Sequence, residues 1–317
     1  MPGPGSPKRR AILLPWISLA VLFLLAGSAQ SKIIGHNGTD FHLTAKADYI
    51  STPDGNSLLF WGYANGTARP QYPGPSLIVN QGELITVTLD NDLGRPVSIV
   101  FPGHRVTASG GQAGLLTREA PVNGTVTYTF RAKHPGTFLY HSGTRPELQV
   151  EMGLVGALIV RPSGFDPVDP QAYEHPDSAY DREYLFLFTE MDPRIHKMVD
   201  YDGAAALEST AYLSDYFPNY WFINGRNAPD TLLPAGSPLL PTQPYNCLPR
   251  IRPGEKMLMR VITAGRDLHP FHHHGNHSRI IAKDGRLLQS SSGNGADLSF
   301  EVFTIKSVPG ETVDAIF

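Results

Sequence analysis

The stretch GTFLYHSGTRPELQVEMGLVGALIV, Gly136 to Val160, begins and ends with short runs of aromatic and β-branched residues set between Gly and Pro. Runs of that length and make-up read as strands, because such side chains fit a pleated, half-buried surface. Toward the N-terminus the same signal recurs in SLLFWGYA (57–64), SLIVN (76–80), ELITVTL (83–89), VSIVF (97–101) and TVTYTF (125–130). Seven short segments in this order describe a Greek-key sandwich. Toward the C-terminus a Pro- and Asp-rich segment, 161–184, reads as a linker. A second set follows: YLFLFTEM (184–191), WFINGR (221–226), KMLMRVITAG (256–265), SRIIAKDGRLL (278–288), EVFTIKS (301–307) and TVDAIF (312–317), with a short helix expected near ALESTAYLSDYF (206–217). The expected fold is therefore all-β, with two Greek-key sandwich domains over 40–165 and 185–317 and a linker at 166–184. The second set stops at ETVDAIF, so that sandwich is expected to be incomplete at its C-terminal side.

Composition agrees with this reading. The 317 residues suffice for two cores of 100–150 residues each, and 31 Gly and 28 Pro punctuate the apolar runs too often for long helices. Residues 1–31 are different in kind: KRR at 8–10, an apolar run and the small residues of GSAQS. That is the pattern of a secretory signal cleaved after Ala29, so the chain is expected to be exported; left uncleaved, the segment would be a membrane anchor. Cleavage would move the formal charge from −3 to −6, which excludes the basic footprint of a nucleic-acid partner. Cys247 is the single cysteine, so the exported chain has no internal disulfide and relies on packing.

The chemistry concentrates in DLHPFHHHGNH, Asp267 to His277, with five of the twelve histidines in eleven residues. Pro270 and Gly275 argue against a helix there. On an extended backbone His272 and His274 share a face and His273 points the other way, so the first two can share a metal ion. His269, just before a proline that cannot donate to a ladder, is expected at a strand end or edge. Imidazole suits copper, zinc, iron and nickel, and no thiolate lies near the cluster to select among them. His273 and His277 read as surface histidines.

HPFHHHG resembles the HPFHxHG motif of the multicopper oxidases, which are arrays of cupredoxin sandwiches. INGR, MLMRVITAG, IIAKDG and SVPGETVDAIF around it are similar to the family's flanking segments. In the first half PGPSLIVNQGELITVTLDNDL and PGTFLYHSGTRPELQVEMGLVGALIV resemble the family's opening strands and its GTFWYHSH…GLxGALIV region. The resemblance implies two cupredoxin-like domains and copper as the cofactor. It also implies His269 as a type 1 copper ligand, and His272, His274 and His141 as ligands of an oxygen-reducing cluster.

The chain departs from the family where HWHG would stand, reading VFPG with Val100 and Pro102 at the ligand positions, and Gly143 ends what would be YHSH. His104, just after VFPG, reads as structural. The first domain is also similar to the copper nitrite reductases, with Ser142 in place of their Cys and Met152 at a ligand position that reads as core. The cysteine-bearing HCH segment of a full oxidase is not found after PGETVDAIF. The resemblance implies an oxidoreductase that takes electrons from a small-molecule or metal-ion reductant and delivers them to dioxygen. Assembly into a homo-oligomer would be one way to complete the ligand set. The alternatives are a non-catalytic copper-binding or scaffold protein, and a nitrite-reductase-like copper enzyme.

Overall fold

Alternation of buried and exposed side chains builds the first sandwich. In LITVTLDN, Ile85, Val87 and Leu89 turn inward, and in TVTYTFR, Val126, Tyr128 and Phe130 do the same. The computed structural model describes Met1, Gly3 and residues 33–203, 214–290 and 296–317. The strands of the first half are β1 His36–Asn37, β2 Asp40–Ser51, β3 Ser57–Asn65, β4 Leu77–Asn80, β5 Leu84–Asn91, β6 Val106–Gly110, β7 Gln112–Ala113, β8 Arg118–Glu119, β9 Thr125–Arg131, β10 Gly136–His141 and β11 Val155–Arg161. One sheet runs β3-β2-β5-β9-β6 and the facing sheet β1-β4-β11-β10. Parallel pairs β2–β5 and β4–β11 among antiparallel ones give the crossed connections of a Greek key. The VSIVF segment forms no ladder; it is held by bridges from Val97 to Ala120 and from Val100 to His141.

The second half contains β12 Arg182–Met191, β13 Tyr220–Ile223, β14 Met257–Thr263, β15 His269–His272, β16 Ser278–Lys283, β17 Arg286–Leu287, β18 Phe300–Val302, β19 Thr304–Ser307 and β20 Thr312–Ile316. Its main sheet runs β13-β12-β14-β20-β16-β17, with β18 also on β16. Among the described residues the facing layer is the antiparallel pair β15–β19. Phe271 and Ile305 from that pair close a core with Phe186, Phe188, Met259, Val261 and Val313. The chain is thus all-β and cupredoxin-like, with a thin second layer in its second sandwich.

Nearly all of the expected signal segment and most of the expected helix at 206–217 lie outside the described residues. Among the described residues two α-helices occur: α1 Pro146–Gln149, and α2 Pro193–Asp202, which starts at Asp192, whose carboxylate accepts from the Arg194 amide. No helix of the described residues is long and apolar enough to cross a membrane.

The two sandwiches share buried surface within one contact unit, Lys32–Phe317. Leu139, Val155 and Ala157 meet Leu187, Met191, Phe222, Ile262 and Ala264 across the junction. That contact explains why every residue of β11 is buried, since both its faces are covered. The 161–184 segment packs as well, burying Ala172, Tyr173 and Tyr180 against Leu258 and Ile281. Its Pro and Asp content marks turns, while its tyrosines supply apolar area.

A charged network pins the same junction. Arg161 and Arg260 both bind the Glu183 carboxylate, and Arg260 donates to Thr137 Oγ1 at 3.0 Å. Thr137 donates in turn to Asp314 at 2.5 Å, and Tyr173 donates to the other oxygen of that carboxylate at 2.5 Å. Burial works to raise the Glu183 carboxyl, but the two guanidinium groups outweigh it and hold it below the ordinary range.

Candidate metal centre

β15 is extended and pairs only with β19, with His269 opposite Ser307 and His272 opposite Thr304. Strand parity divides the motif. His269 is buried and Phe271 points into the core, whereas Pro270 and His272 are exposed. Past the strand end the division continues: His274 is exposed, and His273 turns back to Ser278, with Nε2 2.7 Å from its hydroxyl, and packs on Phe317.

The His272 and His274 rings lie with centres 5.1 Å apart. Imidazole nitrogens bind a metal at ~2.0 Å, which sets two rings on one ion roughly 5 Å apart, so this pair fits a shared ion. His272 is also oriented: its Nδ1 lies 3.0 Å from both the Phe303 carbonyl and the Thr304 hydroxyl, and donating there leaves the Nε2 lone pair outward. Phe303, 56% exposed, stands edge-on to both His272 and His277.

His269 is placed apart from that pair. Its Nε2 is 2.7 Å from Glu190 Oε2, its ring stacks on Phe188, and Trp221 meets it edge-on. Glu190 comes from β12, and its other oxygen accepts from the Arg266 and Asp267 amides, so one buried carboxylate fixes the whole approach to the motif. A side chain at Gly265 would displace this carboxylate, since a Cβ would sit 2.0 Å from Glu190 Oε2. Sequence reasoning did not single out Glu190; a lone acid inside the apolar run YLFLFTEM was the available signal.

His141 belongs to a third place. It ends β10, its Nδ1 lies 2.8 Å from the Ser142 carbonyl, and burial pushes its imidazole down. It lines a cavity of about 250 Å³ with Glu147, Glu151 and Glu190. Among the described residues no three His, Cys, Asp or Glu side chains converge to hold one ion. Position 143 shows why the first sandwich adds no partner: a Cβ on Gly143 would lie 2.6 Å from Val100 Cγ1, so valine fills the space a side chain would need. His104 is structural, packed edge-on against Phe130 and Phe138.

Cys247 packs at the edge of the second core, and burial raises its thiol to about 12. The thiolate is the form that binds metal, so burial of the neutral thiol works against a ligand role for Cys247. The residues therefore fit a two-histidine copper site at His272 and His274. Within one chain they do not fit a thiolate site or a three-metal cluster.

Residues 54–164 match the sequence pattern of the family described as Multicopper oxidase. The matched segment is similar to a multicopper oxidase domain. Laccase-3 of Arabidopsis thaliana is 27% identical over 283 residues, covering 87% of this chain and 43% of the laccase. The chain thus spans less than half the length of the curated relatives it matches. A blue copper oxidase from Nitrosomonas europaea superposes with a TM-score of 0.64 at 22% identity, over 87% of this chain and 74% of that one. The copper nitrite reductase of the same organism gives 0.57 at 20% identity, over 89% and 84%. The likeness in fold to these solved structures extends beyond residues 54–164 into the second sandwich.

Proposed function

We propose that this chain is an exported copper-binding oxidoreductase of the multicopper oxidase type, taking electrons from a small-molecule or metal-ion reductant and passing them to dioxygen. The observation that carries the reading is the outward His272–His274 pair, with the first ring held by Phe303 and Thr304. Copper bound there would supply one-electron redox chemistry at an exposed site. The chain's own contribution is placement. β15–β19 sets the His272 ring with His274 just past the strand end, the Phe303 carbonyl and Thr304 hydroxyl keep the His272 lone pair outward, and Glu190 anchors the strand's entry through His269. A homo-oligomer would bring the exposed pair against another copy, and the exposed Phe303 beside it supports such a contact. Export rests on the KRR and apolar pattern of residues 1–31.

One observation favours a second reading, a non-catalytic copper-binding protein: Val100 fills the space beside Gly143 in the first sandwich. Copper stoichiometry with oxygen-uptake measurements on the loaded full chain, offered a phenolic reductant and then ferrous ion, separates the two. Oxygen uptake that disappears in His272→Ala with His274→Ala supports the oxidase. Bound copper without uptake at any protein concentration supports the second reading, and no copper binding defeats both. Nitrite reduction without oxygen uptake would instead favour a nitrite-reductase-like enzyme.

A further inference from the structure

A cleft of about 330 Å³ lies away from the histidine pair, lined by Gly103, His104, Arg105, Arg131, Lys133, His134, Phe138 and Arg286. Four of these side chains carry fixed positive charge and none carries negative charge, in a chain whose formal net charge is −3. Like charges brought together repel, so such a cluster is costly unless a counter-ion balances it. Among the described residues Arg105, Arg131, Lys133 and Arg286 form no ion pair with a carboxylate, and Arg131 donates to the Gly82 carbonyl. Asp284, Glu311 and Glu83 make other contacts: Asp284 accepts from the Thr312 amide, Glu311 pairs with Lys283, and Glu83 accepts from the Asn80 amide.

The cleft is assembled from both sandwiches. Arg105 follows the turn at Gly103, Arg131 ends β9, and Lys133 and His134 lie in the turn to β10. Arg286 arrives on the tight hairpin between β16 and β17, where Asp284 and Gly285 both take positive φ. That hairpin tip seats directly on the start of β10: a Cβ at Gly136 would lie 2.8 Å from Gly285 Cα, and one at Gly285 would lie 2.2 Å from the Phe138 ring. The two glycines thus hold the Arg286 hairpin against the turn that carries Lys133. The fields overlap, because burial and then the Arg286 and Lys133 charges push the His134 imidazole down.

We infer that this cleft binds a small multiply charged oxyanion, a phosphate or polycarboxylate, which would bridge the two sandwiches. Guanidinium groups match the planar or tetrahedral oxygens of such an anion, and the volume suits a ligand of that size. Neither copper nor turnover enters this inference.

The test is calorimetric titration of the full chain with inorganic phosphate and, separately, citrate, at about 10 mM and then about 150 mM ionic strength. Sodium acetate at matched ionic strength is the monovalent control. Saturable binding of either multivalent anion is expected at low salt, weakening at high salt. Lys133→Glu or Arg286→Glu should each weaken it by roughly tenfold or more, while Lys197→Glu, a reversal at an exposed position of α2, should leave it unchanged. The neutral pair Lys133→Gln with Arg286→Gln guards against a reversal that disturbs folding, which thermal melting of each variant reports. The inference is overturned if neither anion saturates below about 1 mM at low salt. It is equally overturned by binding unchanged in the neutral pair, by loss as large in Lys197→Glu, or by acetate binding as tightly as citrate.

Discussion

Removing the imidazole of His272 or His274 is expected to lower copper affinity by more than the ~10-fold that loss of an outer partner of a metal ligand costs. His273→Ala should leave affinity within a few-fold, because that ring is turned inward to Ser278. Isothermal titration of the three variants checks this, and equal losses would remove the parity argument. Copper bound by these imidazoles alone should show weak visible absorption and a type 2-like magnetic spectrum, since intense blue colour needs a copper–thiolate bond. Cys247→Ser should therefore leave both spectra unchanged; a blue band that vanished in that variant would relocate the site. The same thiol carries a pH prediction. Its folded pKa, about 12, lies above the usual 9, so burial of the neutral thiol stabilises the fold below pH 9 and that contribution is lost as pH rises toward 12. Denaturant midpoints of wild type should accordingly fall more than those of Cys247→Ala across that window.

Strand β14 shows how an element is tied down at both ends of its role. Met259 and Val261 face the second core, Ile262 the junction, and Arg260 enters the charged network with Glu183 and Thr137. Arg260→Ala should destabilise the fold by about 3–5 kcal/mol, the usual consequence of stranding a buried partner charge. Urea denaturation at pH 7 is the measurement, and a change below about 1 kcal/mol would mean that water replaces the guanidinium freely. Glu183 adds a sign: with its folded pKa depressed, its stabilisation is present above the unfolded carboxylate value and is lost as pH falls. On the strand's far side, Gly265→Ala would push Glu190 off His269 and the Asp267 amide. A cost of about 1–3 kcal/mol is expected, together with a shift of the His269 ring resonances that a merely local effect would not produce.

Across the whole molecule the two halves differ in how their layers are closed. The first sandwich faces a five-stranded sheet with a four-stranded one, whereas among the described residues the second sets only β15–β19 against its main sheet. A two-stranded layer leaves open edges and fewer contacts per residue, so it opens more readily. Limited proteolysis of the metal-free protein should therefore cut first within the second sandwich and leave a resistant fragment covering 40–165. First cuts in the β5–β9 region would contradict that order. The shared apolar junction predicts in addition that thermal melting follows a single main transition in which both sandwiches take part.

How much of this was legible in the sequence follows from the range of the forces involved. Local pattern determined the all-β class, the strands from SLLFWGYA to LVGALIV, and the outward pairing of His272 with His274, because pleat parity acts between neighbours in the chain. It left β2 unseen, since DFHLTAKADYIS mixes charged and apolar residues and is held as a strand by β3 and β5 on either side. VSIVF had the right composition for a ladder and forms only bridges. Three outcomes rest on residues far apart in sequence. Glu190 meets His269 across 79 positions, Val100 fills the space beside Gly143, and the hairpin glycine Gly285 seats against Gly136 to bring Arg286 to the basic cleft. Only the packed chain decides such contacts, because burial and Coulomb forces act through space while periodicity reads along the backbone.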